Sequence, residues 1–384
     1  MKVAQIYDII NSVTKETLGE TAVVAEDLTN IVDIGKEIID ADSVDSYVKK
    51  LVNHIGKVIF VDRLYKGNAP SVLMDSWEFG SVTEKISTNL PDAHESDTWK
   101  LEDGKDYSPN VFYEPKVSVK FFNKRVTFEI PLSFTELQVK QSFSNVTQLN
   151  SFLSMLYTSV ENSMTVKLDD LIMRTINNMT AETVASNDKV RAVDLLAKYN
   201  AEKGTNLTDV QALKDPEFIR YASYTIAVYK DRLSKISTLF NEGKQARFTP
   251  EDKLHIVLLS DFAKASDVYL QSDTFHNEMT ELPLHETVPY WQGSGTDYDF
   301  KSITKIDVKT STGKTVSQTG ILGVMFDRDA LGVSNLDRRV TTNYNAKAEF
   351  FNNFYKMDAG YYNDLNENFV VFYVGATAEA GTGE

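Results

Sequence analysis

An α+β fold is predicted, on three observations. Apolar residues recur at steps of three and four in several segments, most persistently over 145–179. Elsewhere, chiefly between Phe60 and Pro131, they alternate with polar residues as in half-buried strands. The second half of the chain mixes short helical and strand-like runs with Gly- and Pro-bearing loops, as a compact α/β unit does.

The first 60 residues read as short amphipathic helices. Ile6, Ile9, Ile10 and Val13 form one set, Ile31, Ile34 and Ile38 a second, and Val48, Leu51, Val52 and Ile55 a third, with N-cap candidates between Asp42 and Asp45. Such helices are too small to enclose a core and must pack on something else. Strand periodicity then takes over. Trp77 and Phe79 alternate with Ser76, Glu78 and Gly80, and Val117, Val119 and Phe121 with Lys116, Ser118 and Lys120. After Phe122-Asn123-Lys124-Arg125 the apolar parity flips to Val126, Phe128 and Ile130, which requires a bulge or a turn. Between the arms lies Thr88 to Pro109, polar, with six acids and two lysines. Two ribbons with a charged tip are predicted. An isolated ribbon is marginal in water, so this one should rest on another subunit or domain.

Ser144 or Asn145 can cap a helix running to about Met179. Its stripe is Leu149, Phe152, Leu153, Leu156, Val160, Met164, Leu168, Leu171, Ile172, Ile176 and Met179. That is one face held for about nine turns, or roughly 50 Å, the dimensions of a structural spine. A short helix is predicted around Val193 to Tyr199. Asp215-Pro216-Glu217 reads as a helix start, followed by Phe218, Ala222, Ile226, Tyr229, Leu233, Ile236 and Phe240, with Gly243 as the stop. Leu254 to Leu259 reads as a buried strand, Ser260-Asp261 as the start of a short helix, and Ile303–Val308 and Ile321–Phe326 as strands. Ala348 to Val374 reads as two strands joined around Asn363-Asp364-Leu365-Asn366, and Gly375 to Glu384 as a disordered tail.

Composition excludes several classes. A formal net charge of -15, with 40 Lys and Arg against 55 acids and no basic arm, argues against tight DNA wrapping. With no cysteine there is no disulfide, thiol nucleophile or thiolate zinc site. Met1 to Glu20 lacks a signal-peptide pattern, and no run of about 18 apolar residues could span a membrane.

Candidate chemistry is sparse. Ser311-Thr312-Gly313-Lys314-Thr315 ends like a phosphate-binding loop, but position 308 is Val where that motif needs Gly, and the run lies between two strands. A polar hairpin tip is expected. His276, Glu278, Glu281, His285 and Glu286 form the His/acid cluster, but the histidines are nine residues apart and Pro283 intervenes, so a solvated loop is expected. Asp169 and Asp170 are adjacent on the spine and should diverge, while His54 and His255 sit beside apolar residues as structural histidines do. No Gly-x-Ser-x-Gly occurs. No catalytic, cofactor-binding or metal-ligating residue is therefore expected.

In order and in detail the segments resemble the major capsid proteins of tailed bacteriophages, the Hong Kong 97-type fold, and among them siphophages of Gram-positive hosts. The stretches carrying the resemblance are Ile59-Phe60-Val61-Asp62-Arg63, Ala69-Pro70-Ser71-Val72-Leu73-Met74, Phe121-Phe122-Asn123-Lys124-Arg125-Val126-Thr127-Phe128-Glu129, Val166-Lys167-Leu168-Asp169 and Gly323-Val324-Met325-Phe326-Asp327-Arg328-Asp329-Ala330-Leu331-Gly332. The resemblance implies an N-terminal arm over 1–62, an extended loop over 63–125 lying on a neighbouring subunit, a peripheral domain from 126–205 and 335–384, and an axial domain over 206–334. It implies a structural protein without cofactor that self-assembles as hexamers and pentamers into an icosahedral shell around double-stranded DNA in the virion, after assembly in the host cytoplasm. Its partners would be further copies of itself, a separate scaffolding protein or none, the portal, head decoration proteins and, weakly, the packaged DNA. An encapsulin-like compartment holding a cargo enzyme shares the fold and is the alternative. A secreted adhesive protein would need the signal peptide that is missing, and an enzyme would need a motif.

Overall fold

A computed structural model of the chain describes residues 63–74, 83–91, 93–135, 146–271, 282–294 and 305–375, together with Asn11, Thr14, Lys15 and Leu18. The expected helices of the first 60 residues, the Trp77–Phe79 strand, His54, His276, Glu278, Glu281 and the tail beyond Gly375 lie outside the described residues. The chain divides into two compact units. One comprises residues 1–66, 129–164 and 340–355, the other residues 67–128, 165–339 and 356–384.

Fourteen strands and five helices are described. The strands are β1 (Leu73–Met74), β2 (Thr83–Thr88), β3 (Val117–Phe122), β4 (Arg125–Thr135), β5 (Ala192–Asp194), β6 (Leu254–Leu259), β7 (Glu286–Val288), β8 (Gly293–Ser294), β9 (Lys305–Lys309), β10 (Thr315–Thr319), β11 (Ile321–Asp327), β12 (Leu331–Asn345), β13 (Phe350–Asn363) and β14 (Phe369–Tyr373). The helices are α1 (Val146–Ala185), α2 (Leu195–Lys203), α3 (Asp209–Ala212), α4 (Pro216–Ser234) and α5 (Ser260–Gln271). Helix and sheet are thus both extensive, as the α+β expectation requires.

The larger unit is built on a five-stranded sheet of order β5-β14-β11-β6-β7. Its central strand β11 reads Ile-Leu-Gly-Val-Met-Phe-Asp and is buried at every position, which is why its sequence is a continuous apolar run instead of an alternating one. β11 pairs antiparallel with β6 and β14, while β7 and β5 flank them in parallel. Phe326 stacks between His255, 5.1 Å away, and Phe369, 5.5 Å away. A glycine is required at 323: a Cβ there would meet Val257 O at 2.6 Å and Leu258 Cδ2 at 2.5 Å. The obstructing oxygen belongs to the paired strand and cannot swing away. Gly323→Ala is expected to cost about 1–3 kcal/mol, the range for overpacked cores, read as a lowered melting temperature. An unchanged melting point would show that the strands do not approach this closely.

The 40-residue α1 is longer than predicted, about 60 Å at 1.5 Å per residue. In the smaller unit its described side chains follow the predicted stripe: Val160 and Met164 are buried while Tyr157, Glu161 and Ser163 are exposed. In the larger unit the buried face widens, leaving only Arg174, Asn178 and Glu182 half-buried along one side between Asp170 and Thr183. Asp170, Thr175, Asn177, Thr180 and Thr183 are buried as fully as Leu171, Ile176 and Met179. Helix bonding settles two of these polar groups, since Thr175 and Thr180 donate to the carbonyls of Leu171 and Ile176 four residues back. Asn177 donates to Gln292 O at 3.0 Å. A single apolar face was predicted because small hydroxyl residues count as polar, although they bury readily once their own helix satisfies them.

Helix α4 begins as predicted, with Asp215 accepting from the Glu217 and Phe218 amides at 2.8 and 3.0 Å and Pro216 at the first position. It stops at Ser234, six residues short of Phe240. Beyond it the chain pinches through reciprocal Ser237–Arg247 backbone bonds, and Thr249 N returns to Leu233 O. Phe240 is buried, but its carbonyl accepts from Phe369 N at 2.9 Å, so it extends the sheet edge and not the helix.

In the smaller unit, the outer ends of β12 and β13 meet around a turn. Thr342 bonds Asn353 at 2.9 Å, the Tyr344 and Phe351 rings lie 4.6 Å apart, and Asn345 Oδ1 accepts from the amides of Lys347 and Ala348. Ser133 bonds Asn352 on the other side. Asn162 of α1 clasps the incoming chain, accepting from Tyr65 N and donating to Arg63 O, both at 2.7 Å. β12 and β13 belong to a sheet of order β1-β12-β13-β4.

Candidate assembly surface

The predicted ribbon exists as the antiparallel pair β2–β3, in register from Thr83↔Phe122 to Thr88↔Val117. The parity flip is a two-residue break, Asn123-Lys124, between β3 and β4. The register places Lys85 directly opposite Lys120. Like charges so placed repel unless an anion lies between them. Asp364, in the turn between β13 and β14, supplies it: its two oxygens take Lys85 at 2.9 Å and Lys120 at 2.8 Å, and its side chain is 2% exposed. Glu367 adds a second carboxylate, 2.8 Å from Lys85 and 3.3 Å from Arg247. Lys85 also donates to Asp329 O at 3.0 Å. Burial works to raise the Asp364 pKa, but the hydrogen bonds from Lys120 and Lys85 outweigh it and hold the carboxyl below its ordinary value. On the same inward face Ser87 meets Ser118 at 2.7 Å, and the ring of Phe122 lies 4.9 Å from that of Tyr362. Burial, followed by the surrounding carboxylates Asp329, Asp364, Asp327 and Glu367, pushes the Tyr362 hydroxyl far above its usual range.

Because strand side chains alternate, this pairing fixes what the other face carries. Ile86, Val117, Val119 and Phe121 all point outward, with Ile86 63% and Phe121 66% exposed. The ribbon therefore turns its lysines to its own unit and a mainly apolar face, on which Glu84 is the charged residue, to solvent, the reverse of ordinary strand packing.

From Asn89 to Lys116 almost every described residue is exposed. The tip has local order only. Ser96 caps a single tight turn, Asp97–Trp99, by accepting from Thr98 N at 3.3 Å. Lys100 pairs with Glu95 at 3.1 Å, and Tyr107 Oη accepts from Glu102 N at 3.0 Å. Trp99 is 94% exposed, Phe112 83% and Tyr113 75%. Scattered exposed apolar residues are normal on soluble proteins, whereas a contiguous set of large ones marks an interaction surface.

The positions singled out for chemistry are distributed elsewhere. Ser311 to Thr315 is the polar turn between β9 and β10, closed by Thr310 N to Lys314 O at 2.8 Å with Gly313 at φ 84°. The Ser311 amide donates to the Glu182 carboxylate, so the site already holds an anion of the chain's own. His255 is satisfied: its Nε2 lies 3.2 Å from Glu286, which also accepts from the Ser71 amide at 2.7 Å. His285 Nδ1 lies 2.8 Å from Pro283 O. Asp169 accepts from Asn68 N at 3.0 Å, whereas Asp170 is buried. Among the described residues, no three His, Asp or Glu side chains are grouped as a metal site, and no helix is long and apolar enough to cross a membrane. Sequence reasoning saw the Val117–Phe121 alternation but missed the Lys85–Lys120–Asp364 junction. The available signal was that Lys120 occupies the opposite parity from Val117, Val119 and Phe121.

Residues 10–373 match the family model described as Phi29-like phage major capsid protein. The major capsid protein of Bacillus phage GA-1 is 27% identical over 167 residues, which is 42% of this chain and 34% of that protein, so the match spans about a third of that relative's length. Among solved structures, the capsid structure of Staphylococcus phage Andhra superposes with a TM-score of 0.53 at 10% identity, covering 83% of this chain and 87% of that one. A structure described as the head fiber and inner core protein gp22 of native bacteriophage P68 gives a TM-score of 0.55 at 8% identity, with the same coverage. At such identities the superpositions speak for the fold alone, and the fold is one found in phage head structures. With nearly the whole of its 384 residues matched by that model, the chain belongs to the Phi29-like phage major capsid protein family.

Proposed function

We propose that this chain is the structural subunit of an icosahedral phage head, self-assembling as hexamers and pentamers around double-stranded DNA. The observation that carries the reading is the inside-out arm: ion pairs bind its inner face to its own unit, while the large apolar residues of its outer face and tip are exposed. Copies meeting head-to-tail around a rotation that closes form rings, and arms laid across neighbours bury the area a stable shell needs. Under this reading the fold is of the Hong Kong 97 type. Residues 1–62 form the N-terminal arm, 63–125 the extended loop, 126–205 with 335–384 the peripheral domain along α1, and 206–334 the axial domain. The subunit is a container wall and not an enzyme, assembled in the host cytoplasm and resident in the virion, with scaffolding, portal and decoration proteins as partners. Its surplus of acids suits a wall that must not grip the genome. The family match favours this role over a cargo-holding compartment. Negative-stain microscopy and sedimentation of the chain, purified alone and co-expressed with its scaffolding partner, test it: closed shells or capsomer rings are expected, and a chain that stays monomeric under both conditions overturns it.

A further inference from the structure

A groove of about 430 Å³ runs between α2 and α4. It is lined by four cations, Lys198, Lys203, Arg220 and Arg232, against two carboxylates, Glu202 and Glu217. Both carboxylates are engaged locally, Glu217 with Arg220 at 2.9 Å and Glu202 with the Tyr221 hydroxyl. Lys198 and Arg232 converge on the Tyr229 ring, their charges 5.7 and 5.4 Å from its centroid, and no ion pair joins either to a carboxylate among the described residues. In a chain of net charge -15 such a surplus of positive charge is out of character. Burial, and then repulsion from Arg232, pushes the Lys198 ammonium pKa down against the attraction of Asp194. Tyr224, exposed on α4, adds an aromatic face.

The arm tip has the complementary chemistry. Its two lysines are engaged, Lys100 with Glu95 and Lys105 over the Tyr107 ring at 5.4 Å. Glu102, Asp103 and Asp106 are exposed and form no ion pair among the described residues, and Trp99 stands beside them. The bonds described within the tip are all local, and its described residues are almost all exposed.

Building on the shell-subunit reading, we infer that the α2–α4 groove of one copy receives the arm tip of another, with Asp103 and Asp106 facing Lys198 and Arg232 and Trp99 against Tyr224. The occupant is a second copy of this chain because both halves of the match, acidic with an aromatic and basic with aromatics, are carried uncovered by the same molecule.

Charge reversal tests it. Lys198→Glu with Arg232→Glu, and separately Asp103→Lys with Asp106→Lys, each place like charges together and should cut particle yield at least about tenfold, and the four changes combined should restore it to within about threefold. All four residues are largely exposed, so melting temperatures should fall by no more than a few degrees, the loss confined to the Lys198 and Arg232 contacts with Tyr229. Milder Lys198→Gln with Arg232→Gln should weaken assembly most at low salt, where the attraction is least screened. For location, a photo-crosslinking benzophenone residue replaces Trp99 in particles grown from mixed 14N and 15N subunits. Crosslinks to residues 195–232 that join one light and one heavy chain are expected. Crosslinks elsewhere, or a groove variant that assembles as the parent does, overturn the docking site and leave the shell reading standing. A parent chain that forms no particle even when co-expressed with its scaffolding partner overturns both.

Discussion

Replacing Trp99, Phe112 and Tyr113 together by serine is expected to abolish particle formation while leaving the subunit as stable as before. The two halves of this expectation come from one fact: all three side chains are more than two-thirds exposed in the lone chain. Surface substitutions change unfolding free energy by no more than about 0.5 kcal/mol each, so melting should shift by only a few degrees. At an interface each aromatic would contribute about 1.5–3 kcal/mol by burial. Losing even 5 kcal/mol from a contact repeated by every subunit weakens each repeat by roughly three to four powers of ten. Sedimentation velocity and microscopy read the first half, thermal denaturation the second. A variant that still builds shells would show that the tip is not an assembly element. One that loses several kcal/mol of stability would show that the tip packs on its own body.

Much of this organisation is legible in the sequence where neighbours along the chain decide it. Asp215-Pro216-Glu217 starts α4 because capping needs only residues within one turn. The β3–β4 break at Asn123-Lys124 follows from strand parity. Legibility fails where tertiary context overrides local pattern. β12 runs for 15 residues, but only Leu331 to Ser334 are buried; the rest is largely exposed and polar, so no alternation betrays it. α1 changes partway along from a narrow buried face to one that takes in its small polar residues as well, and only its surroundings distinguish the two regimes. The arm junction is the extreme case. Lys85 and Lys120 are paired across 35 residues of chain, and Asp364 reaches Lys85 from 279 residues away. Neither separation leaves a trace in periodicity, whereas the outward apolar face of β3 could be read but not oriented until the lysines were placed.

The arm junction should also be where acid acts on the subunit, and Asp364→Asn isolates the effect. At neutral pH the substitution keeps the shape of the side chain but removes the anion between two ammonium groups in cross-strand register. Glu367 still reaches Lys85, and Lys120 retains partial access to water, so the cost should fall near the low end for breaking a buried pair, about 3 kcal/mol. The dependence on pH follows from the direction of the carboxyl shift. Desolvation raises the Asp364 pKa, the lysine hydrogen bonds lower it further, and the net position is below the ordinary value of 3.8. In the unfolded chain the group takes up its proton near that ordinary value, in the folded chain only at lower pH. The stabilisation is therefore complete above pH 3.8 and fades as pH falls through the folded value. Thermal melts of parent and Asp364→Asn across pH 3–7 should differ by a constant amount down to about pH 4 and converge below it. A difference that stayed constant to pH 3 would mean that Asp364 acts through its shape and local backbone bonds, with the lysines finding their counter-charge in Glu367 alone. Convergence would show that one buried carboxylate holds the charged face of the ribbon inward, and so keeps its apolar face turned out.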